Sequence, residues 1–169
     1  MTQTTLGALI TGHWSGYSFR SQDYIETGIA VLTKGDIKPR GVVQHGGRFV
    51  DEILVADKRI KLTAPNDLLV TTRDLTTAAD FLGLVSRAPK DGRFAVNQGV
   101  TVFRVDESKV DRRYLTYWCE SPAYRGIHQR PPHGGNSNSY SSYRFDECSG
   151  NASRQSSSSP HSLRPVRLR

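Results

Sequence analysis

The sequence predicts an α+β fold, in which a strand-rich, twisted-sheet domain with short helices spans residues 1–127 and a disordered tail spans residues 128–169. Three observations predict it. Apolar runs of strand length, bounded by turn residues, dominate the first hundred residues. Helical patterns are confined to short stretches. Beyond Ile127 the chain has eleven serines, no lysine and only isolated aliphatic residues, so it lacks the side chains that a core requires.

The first predicted strand is the apolar run Gly28–Thr33, which ends at a turn formed by residues 34–36. A second run, Leu68–Thr72, is continuously apolar before its two threonines, which is typical of a strand covered on both faces. Three more strand-length runs follow, over residues 81–86, 93–97 and 99–105. The loop between the first two of these, residues 87–92, has the composition of a hairpin connection.

Short helices are predicted in two regions. In residues 49–58, apolar side chains recur at helical spacing, which predicts a helix that buries Ile53 and Leu54. Asp111 is a predicted cap for a later helix, and Ser121-Pro122 then starts another with a cap and a first-turn proline. The residues that share one face of the helix after Asp111 are Tyr114, Leu115, Trp118 and Cys119.

The formal net charge of +7 indicates an anionic partner only if the folded domain carries that charge. Residues 1–127 contain 17 Lys and Arg against 14 Asp and Glu, a net charge of +3. Residues 128–169 contain 6 against 2, a net charge of +4. More than half of the basic excess therefore lies in the tail.

Several classes of function lack sequence support. Cys119 and Cys148 are too few for a disulfide framework, and the five histidines are scattered, so no metal or other cofactor is expected. The apolar stretch over residues 6–10 is too short for an export signal or a membrane span, which predicts a cytoplasmic protein with no membrane association. No GxSxG, P-loop, GxGxxG or amino-methyltransferase motif is present, which predicts a protein without catalytic residues.

Four sequence words follow one another in order: SGYSFRSQDY at residues 15–24, GIAVL leading to GDI at 28–37, PNDLLV at 65–70, and VNQGV at 96–100. A helix with the word YLTYW and then Ser121-Pro122 come after them. Over residues 14–127, the order and spacing of these words resemble the target-recognition domain of type I restriction-modification specificity subunits.

That resemblance implies a non-catalytic protein that recognises one half of a split duplex DNA target. In the family, a pair of long helices spaces two such domains and docks the methyltransferase subunits, and catalysis belongs to the partner subunits. This sequence contains one such domain and no heptad-bearing helix of that length. The implied partners are double-stranded DNA and the methyltransferase (modification) and restriction subunits of a type I complex.

The tail resembles the same family in a shifted reading frame. Relatives continue with a word close to Thr-Gly-Ala-Thr and later with Asp-Leu-Met-x-Ile/Val-Pro-Val-x-Leu-Pro. A shift of one base permits His133–Asn136 to decode as the first word and Tyr143–Ser153 to decode as the second. We therefore predict a frameshift between about His128 and His133, the alternative being a genuine Ser/Arg-rich linker or nucleic-acid arm. Sequencing the gene tests this, because an alternative frame without the family's continuation would contradict the frameshift.

Reading DNA requires cations and hydrogen-bond donors for phosphates, and side chains with paired polar groups for base edges in the major groove. Loops and strand ends of this sequence supply both. The candidates for guanine are Arg20, Arg40 and Arg73, and those for adenine are Gln22, Gln44 and Gln98. The predicted DNA-binding residues are Ser18, Arg20, Ser21, Gln22, Lys34, Lys38, Arg40, Thr71, Thr72, Arg73 and Gln98.

Each assignment has a simpler alternative. An exposed loop cation is usually a solvated charge, and a glutamine in a turn can satisfy neighbouring backbone groups. Tyr17, Phe19 and Tyr24 are expected to pack in the core or at its rim, with base stacking as the alternative. Asp36 and Asp67 are expected to be turn residues. For the whole chain, the alternatives are a protein-interaction module without DNA specificity and a non-functional remnant.

Overall fold

The computed structural model describes residues 4–73 and 81–128, so the predicted tail lies outside the described residues from residue 129 onward. Short strands make up most of the regular structure. In chain order the elements are β1 (Ile10–Ser15), β2 (Tyr24–Ile25), β3 (Ile29–Leu32), β4 (Ile37–Lys38), β5 (Val42–Val43), β6 (Phe49–Val50), α1 (Glu52–Asp57), β7 (Leu68–Thr71), β8 (Val85–Arg87), β9 (Ala95–Val96), β10 (Val100–Val105), α2 (Arg112–Cys119) and α3 (Pro122–His128).

Within the described residues, a four-stranded antiparallel sheet with the order β1-β10-β7-β8 forms the centre of the domain. A second sheet has the order β2-β6-β3-β9, in which β3 and β9 run parallel and the other neighbours run antiparallel. β4 and β5 form a separate hairpin. This arrangement of short strands and few helices confirms the predicted α+β fold class.

The central sheet is covered on both faces. One face packs against α2 and α3, and this contact joins Leu68 of β7 to Leu115 of α2 in one apolar cluster. The other face packs against the second sheet, with Leu69 and Val102 contributing to a cluster that includes Leu32 of β3. Burial on both faces is the physical reason that β7 is continuously apolar, as predicted.

A third apolar cluster holds the loop that precedes β2 against the second sheet. Val31 of β3 packs in it together with Phe19, whereas the adjacent Leu32 belongs to the cluster on the central sheet. Tyr17 and Tyr24 pack against the same third cluster. The expectation that these aromatic residues pack in the core or at its rim is confirmed, and their burial fixes the course of the loop.

The helix starts follow the predicted caps. The Asp111 carboxylate accepts hydrogen bonds from the amides of Arg113, at 2.7 Å, and Tyr114, at 3.2 Å. The Ser121 hydroxyl accepts one from the Tyr124 amide at 3.3 Å. Both caps satisfy amide groups in the first turn, which have no partner inside their own helix.

The connection from β10 to α2 is built around Asp106. Its carboxylate accepts a hydrogen bond from the Ser108 hydroxyl at 2.6 Å and pairs with the Lys109 ammonium at 3.1 Å. These contacts, the Ser108 hydroxyl foremost, hold the pKa of Asp106 below its usual value. The carboxylate therefore stays ionised to a lower pH than a free aspartate, and its bonds are lost only as the pH falls through that lowered pKa.

The helix predicted over residues 49–58 begins later than expected, because its first residues form β6. Asp51 caps α1, and its carboxylate accepts a hydrogen bond from the Ile53 amide at 2.7 Å. Ile53 is 70% exposed, whereas Val55 is buried, so the prediction that Ile53 points inward is wrong. Leu54 packs partly against the third cluster, as predicted. The cap fixes where the helix starts, and contact with the third cluster determines which face it buries.

The strand predicted over residues 81–86 is only partly correct. β8 begins at Val85, and the residues before it form a turn in which Gly83 has a φ of 70°. The hairpin predicted for residues 87–92 is wrong, because β8 pairs with β7 whereas β9 pairs with β3. Loop composition indicates a change of direction, but strand pairing depends on contacts distant in sequence.

The buried face of α2 differs from the prediction in one residue, because Thr116 is buried and Tyr114 is not. Leu115 and Cys119 are buried and Trp118 packs partly against the same cluster, as predicted. Tyr114, however, is 38% exposed, and the buried side chain beside Leu115 is Thr116. The Thr116 hydroxyl donates to the Arg112 carbonyl at 2.8 Å, which satisfies its polar group inside the core.

Candidate nucleic-acid interface

A cleft of about 450 Å³ lies beside the ends of β1 and β7 at one edge of the central sheet. Residues from three separate segments of the chain line it. Four of them are predicted DNA-binding residues, namely Ser18, Thr72, Arg73 and Gln98. We refer to this feature as the polar cleft.

Backbone contacts between two of the sequence words build the polar cleft. The Tyr17 amide donates to the Val96 carbonyl at 2.8 Å, and the Gln98 amide donates to the Tyr17 carbonyl at 3.0 Å. These bonds join the SGYSF segment to the VNQG turn. Gly16 permits the approach, because a Cβ there would lie only 2.1 Å from the Asn97 carbonyl oxygen.

The third segment reaches the same place through the end of β7. The Thr72 amide donates to the Gly99 carbonyl at 2.9 Å, so Thr72 and Arg73 leave the sheet beside the VNQG turn. The Thr72 side chain is largely buried and accepts a hydrogen bond from the Thr101 hydroxyl at 3.4 Å. Arg73 then points into the exposed part of the cleft.

Arg73 and Gln98 form a direct contact in the polar cleft. The Arg73 guanidinium Nη1 donates to the Gln98 amide oxygen at 2.9 Å, and both residues are exposed. This bond occupies one acceptor of the glutamine and leaves its NH₂ donors, as well as other guanidinium N–H groups, open to a ligand. The pair therefore presents several hydrogen-bond donors from one fixed position.

Lys34 lies beside the same turn. A Cβ on Gly99 would lie 3.5 Å from the Cβ of Lys34, so the lysine stem runs past the backbone of the VNQG turn. Lys34 is half-buried and belongs to the short 3₁₀ turn that follows β3. The position places a cationic side chain next to the polar cleft, although Lys34 and Gln98 are far apart in sequence.

The loop before β2 carries Arg20, Ser21 and Gln22, which are all exposed. The Asp23 carboxylate accepts a hydrogen bond from the Arg20 amide at 2.7 Å and so fixes the short 3₁₀ turn that follows. Buried Phe19 anchors the loop to the third cluster. The exposed side chains of this loop thus form a polar surface that extends from the polar cleft along the second sheet.

Lys38 and Arg40 lie elsewhere, on the β4–β5 hairpin at the opposite edge of the central sheet. The Lys38 carbonyl accepts a hydrogen bond from the Ser86 hydroxyl of β8 at 3.2 Å. The Arg40 amide donates to the Glu120 carboxylate, at the end of α2, at 3.0 Å. The structure therefore does not bring these two cations to the polar cleft.

Thr71 is fully buried, unlike the other predicted residues around it. Its hydroxyl donates to the Phe81 carbonyl and accepts from the Leu84 amide, the latter at 3.0 Å. These bonds tie the end of β7 to the turn before β8. Thr71 consequently fixes the backbone next to Thr72 and Arg73, and its side chain is not part of the exposed surface.

The sequence analysis missed β1 and the polar cleft residues that it carries. Residues 10–15 alternate between half-buried and exposed side chains, and exposed His13 and Ser15 line the cleft. The His13 ring stacks on Phe103 with centroids 5.8 Å apart. Alternation with a period of two is the signal that could have found this strand.

Trp14 lies between these exposed residues and is itself half-buried. The Arg104 guanidinium carbon lies 5.0 Å, and the Lys61 ammonium 5.9 Å, from the centre of its ring. Such distances are typical of cation–π contacts. Both cations are exposed, and Arg104 also pairs with the Asp67 carboxylate at 3.5 Å.

The buried carboxylates are structural. The Asp36 carboxylate accepts from the Thr33 amide at 2.7 Å, and that of Asp67 accepts from the Ala64 amide at 2.7 Å. The expectation that both are turn residues is confirmed.

Among residues 4–73 and 81–128, no three His, Cys, Asp or Glu side chains cluster in a way that could hold a metal ion. No helix in those ranges has the length and apolar character needed to cross a membrane.

The described residues thus define a strand-rich α+β domain with a polar cleft at one edge of its central sheet. Solved structures with a similar fold come from type I restriction-modification systems. The S subunit of such a system from M. genitalium is 15% identical with a TM-score of 0.52, and the alignment covers 85% of this chain and 32% of that one. A chain solved in a study of complex assembly and conformational transition of the type I R-M system is 18% identical with a TM-score of 0.53, over 73% of this chain and 27% of that one.

The HsdS subunit from Thermoanaerobacter tengcongensis aligns over 70% of this chain and 27% of that one, with 15% identity and a TM-score of 0.49. No protein-family model matches the chain, and no curated protein matches it. This chain spans between 27% and 32% of the length of these solved chains. The M. genitalium subunit and the chain from the assembly study show that the described residues have a fold found in type I restriction-modification proteins.

Proposed function

We propose that residues 1–127 form a target-recognition domain that binds duplex DNA sequence-specifically, as the specificity (S) subunit of a type I restriction-modification complex or as a fragment of it. The observation that carries the proposal is the exposed Arg73–Gln98 pair in the polar cleft. Three segments that are distant in sequence converge there. The fold shared with an S subunit supports the same assignment.

The chemistry of the polar cleft suits base edges in the major groove. A guanidinium group can donate two hydrogen bonds to guanine, and a glutamine amide can both donate to and accept from adenine, each worth about 1 to 3 kcal/mol against a wrong base. Ser18, Thr72 and Lys34 stand beside this pair. We assign base reading to the cleft and to the loop that carries Arg20, Ser21 and Gln22.

The remaining predicted residues have other places in this proposal. Lys38 and Arg40, on the hairpin at the opposite edge, would contact phosphates, since phosphate contacts position a protein without reading sequence. Thr71 would act by holding the backbone that carries Arg73. The domain would use no cofactor and perform no catalysis itself. Methylation and cleavage would belong to the modification and restriction subunits with which it assembles, in the cytoplasm.

Substituting Arg20, Lys38 and Arg73 together with alanine tests the proposal. We expect lower affinity for a selected duplex and a flatter dependence of log Kd on log salt, by about 1 for each cation that contacts a phosphate. Selection from a random duplex pool followed by fluorescence anisotropy at several salt concentrations measures both. Unchanged affinity and slope in the triple variant would contradict DNA binding by these loops.

The same measurements separate the alternatives. A protein-interaction module would enrich no duplex sequence, and DNA would not compete with its partner at physiological salt. A non-functional remnant would bind DNA weakly and would not co-purify with a methyltransferase subunit. The net charge of residues 1–127 is only +3, so nonspecific DNA binding should be lost after a small increase in salt concentration. Binding that persists at higher salt is then sequence-specific.

A further inference from the structure

A second cleft, of about 560 Å³, lies at the β8 edge of the central sheet, opposite the polar cleft. Most of its lining is polar, and Val110 contributes an apolar part. Four cationic residues border it, namely Arg87, Lys90, Arg112 and Arg113, together with Glu107 and Asp111. We refer to it as the cationic cleft.

Local carboxylates do not neutralise the cationic cleft. The Glu107 carboxylate pairs with the Arg112 guanidinium at 2.9 Å. The Asp111 carboxylate is engaged with the first amides of α2. Within residues 4–73 and 81–128, Arg87, Lys90 and Arg113 make no ion pair, and the four cations of the lining outnumber its two carboxylates.

Arg87 contributes a partly buried guanidinium group to the lining of the cationic cleft. Its guanidinium Nε is buried, and among the described residues it has no hydrogen-bond partner. A buried donor without a partner costs about 1 to 3 kcal/mol, more when it is charged. An anion in the cleft would balance the charge of Arg87 and of the neighbouring cations. Because Asp111 already occupies the first amides of α2, the ligand would be held by side chains.

The sheet register relates the two clefts. His13 pairs with Phe103, Phe103 with Leu68, and Leu68 with Arg87. Residues paired directly across antiparallel strands share a face, so His13 and Arg87 stand at the two ends of one row. Three strand spacings separate them by roughly 14 Å. Phe103 and Leu68, which lie between them, are buried against α2 and α3, so this separation is measured through the domain and not along its surface.

We propose that the cationic cleft binds a phosphate group of the DNA backbone and anchors the duplex that the polar cleft reads. This inference rests on the proposed function. Guanidinium and ammonium groups are the usual donors to phosphate oxygens, and four of them border this cleft. The cleft would add affinity for every sequence equally, because a phosphate carries no base identity.

The first test measures duplex binding by the Arg87→Gln/Lys90→Gln/Arg113→Gln variant. We expect its affinity to fall by about tenfold at 0.1 M salt, its salt slope to flatten by about 1 to 3, and its ratio of target to scrambled affinity to stay unchanged. The matched control is Lys58→Gln/Arg59→Gln/Arg93→Gln, which removes the same charge from exposed positions around α1. Thermal melts of both variants check that each remains folded.

The second test uses inorganic phosphate alone. Titration into the unaltered protein should shift the Arg87 Nε–H resonance in a ¹⁵N NMR spectrum, and the Lys90→Gln/Arg113→Gln variant should weaken that shift. If the cationic-cleft variant binds duplex as the control does while the unaltered protein still prefers its target, the cationic cleft is not a DNA contact but the proposed function stands. A shift with inorganic phosphate and no effect on duplex binding would equally overturn the DNA assignment. An unaltered protein that binds no duplex would instead overturn the proposed function itself.

Discussion

The Gly16→Ala variant is expected to lose about 3 kcal/mol of folding free energy, together with the geometry of the polar cleft. An added Cβ would lie 2.1 Å from the Asn97 carbonyl oxygen and 2.5 Å from that of Val96. Both obstructing atoms belong to the backbone, so no change of side-chain rotamer relieves the clash. The end of β1 and the VNQG turn would have to separate, which breaks the hydrogen bonds that Tyr17 makes with Val96 and with Gln98. Urea denaturation measures the loss as a lower midpoint.

Gly12→Ala is the matched control for this variant. It makes the same chemical change on the same strand, but within the described residues a Cβ at Gly12 would meet nothing within 4 Å. We expect its stability to stay within about 0.5 kcal/mol of the unaltered protein. Equal midpoints for the two variants would show that the close approach at Gly16 does not determine how the cleft is built.

The Arg73→Ala variant is expected to bind the selected duplex about tenfold to a hundredfold more weakly, with one base position losing its preference. The reason is that a guanidinium held by Gln98 at 2.9 Å can pair two donors with one guanine edge, and alanine offers neither charge nor donors. Binding to a panel of duplexes, each with one base pair changed, identifies the position that Arg73 reads.

Two further variants distinguish base reading from simple charge. Arg73→Lys keeps the charge but not the planar fork, so we expect the salt slope to persist while the base preference is lost. Arg93→Ala removes an exposed arginine beside α1 and should leave binding almost unchanged. If Arg73→Lys retains full discrimination, or if alanine weakens all duplexes equally, Arg73 contacts a phosphate and not a base.

Local patterns predicted the elements whose signals lie within a few residues. The continuous apolar run of β7, the cap at Asp111 and the Ser121-Pro122 helix start all involve neighbours in sequence. The predicted inward position of Ile53 was wrong, because α1 packs Leu54 and Val55 against the third cluster. Ile53 and Val55 lie about 200° apart around the helix, so burial of Val55 turns Ile53 towards solvent.

Strand pairing could not be predicted from the same patterns. Loop 87–92 has the composition of a hairpin, yet β9 pairs in parallel with β3, which is far from it in sequence. β1 was not predicted, although its residues alternate between half-buried and exposed. Its partner β10 lies far along the chain, and burial against that partner, rather than local composition, makes it a strand.

The sequence by itself determined the α+β class, the starts of α2 and α3, and the polar residue types at strand ends, because propensity, capping and apolar spacing act between near neighbours. Tertiary structure alone decided which of those polar residues meet. Gly16 allows the VNQG turn to approach the end of β1, and the end of β7 places Arg73 beside Gln98. The β4–β5 hairpin places Lys38 at the opposite edge of the central sheet. A binding surface is defined by distances between side chains, and those distances follow from long-range strand pairing that no local pattern encodes.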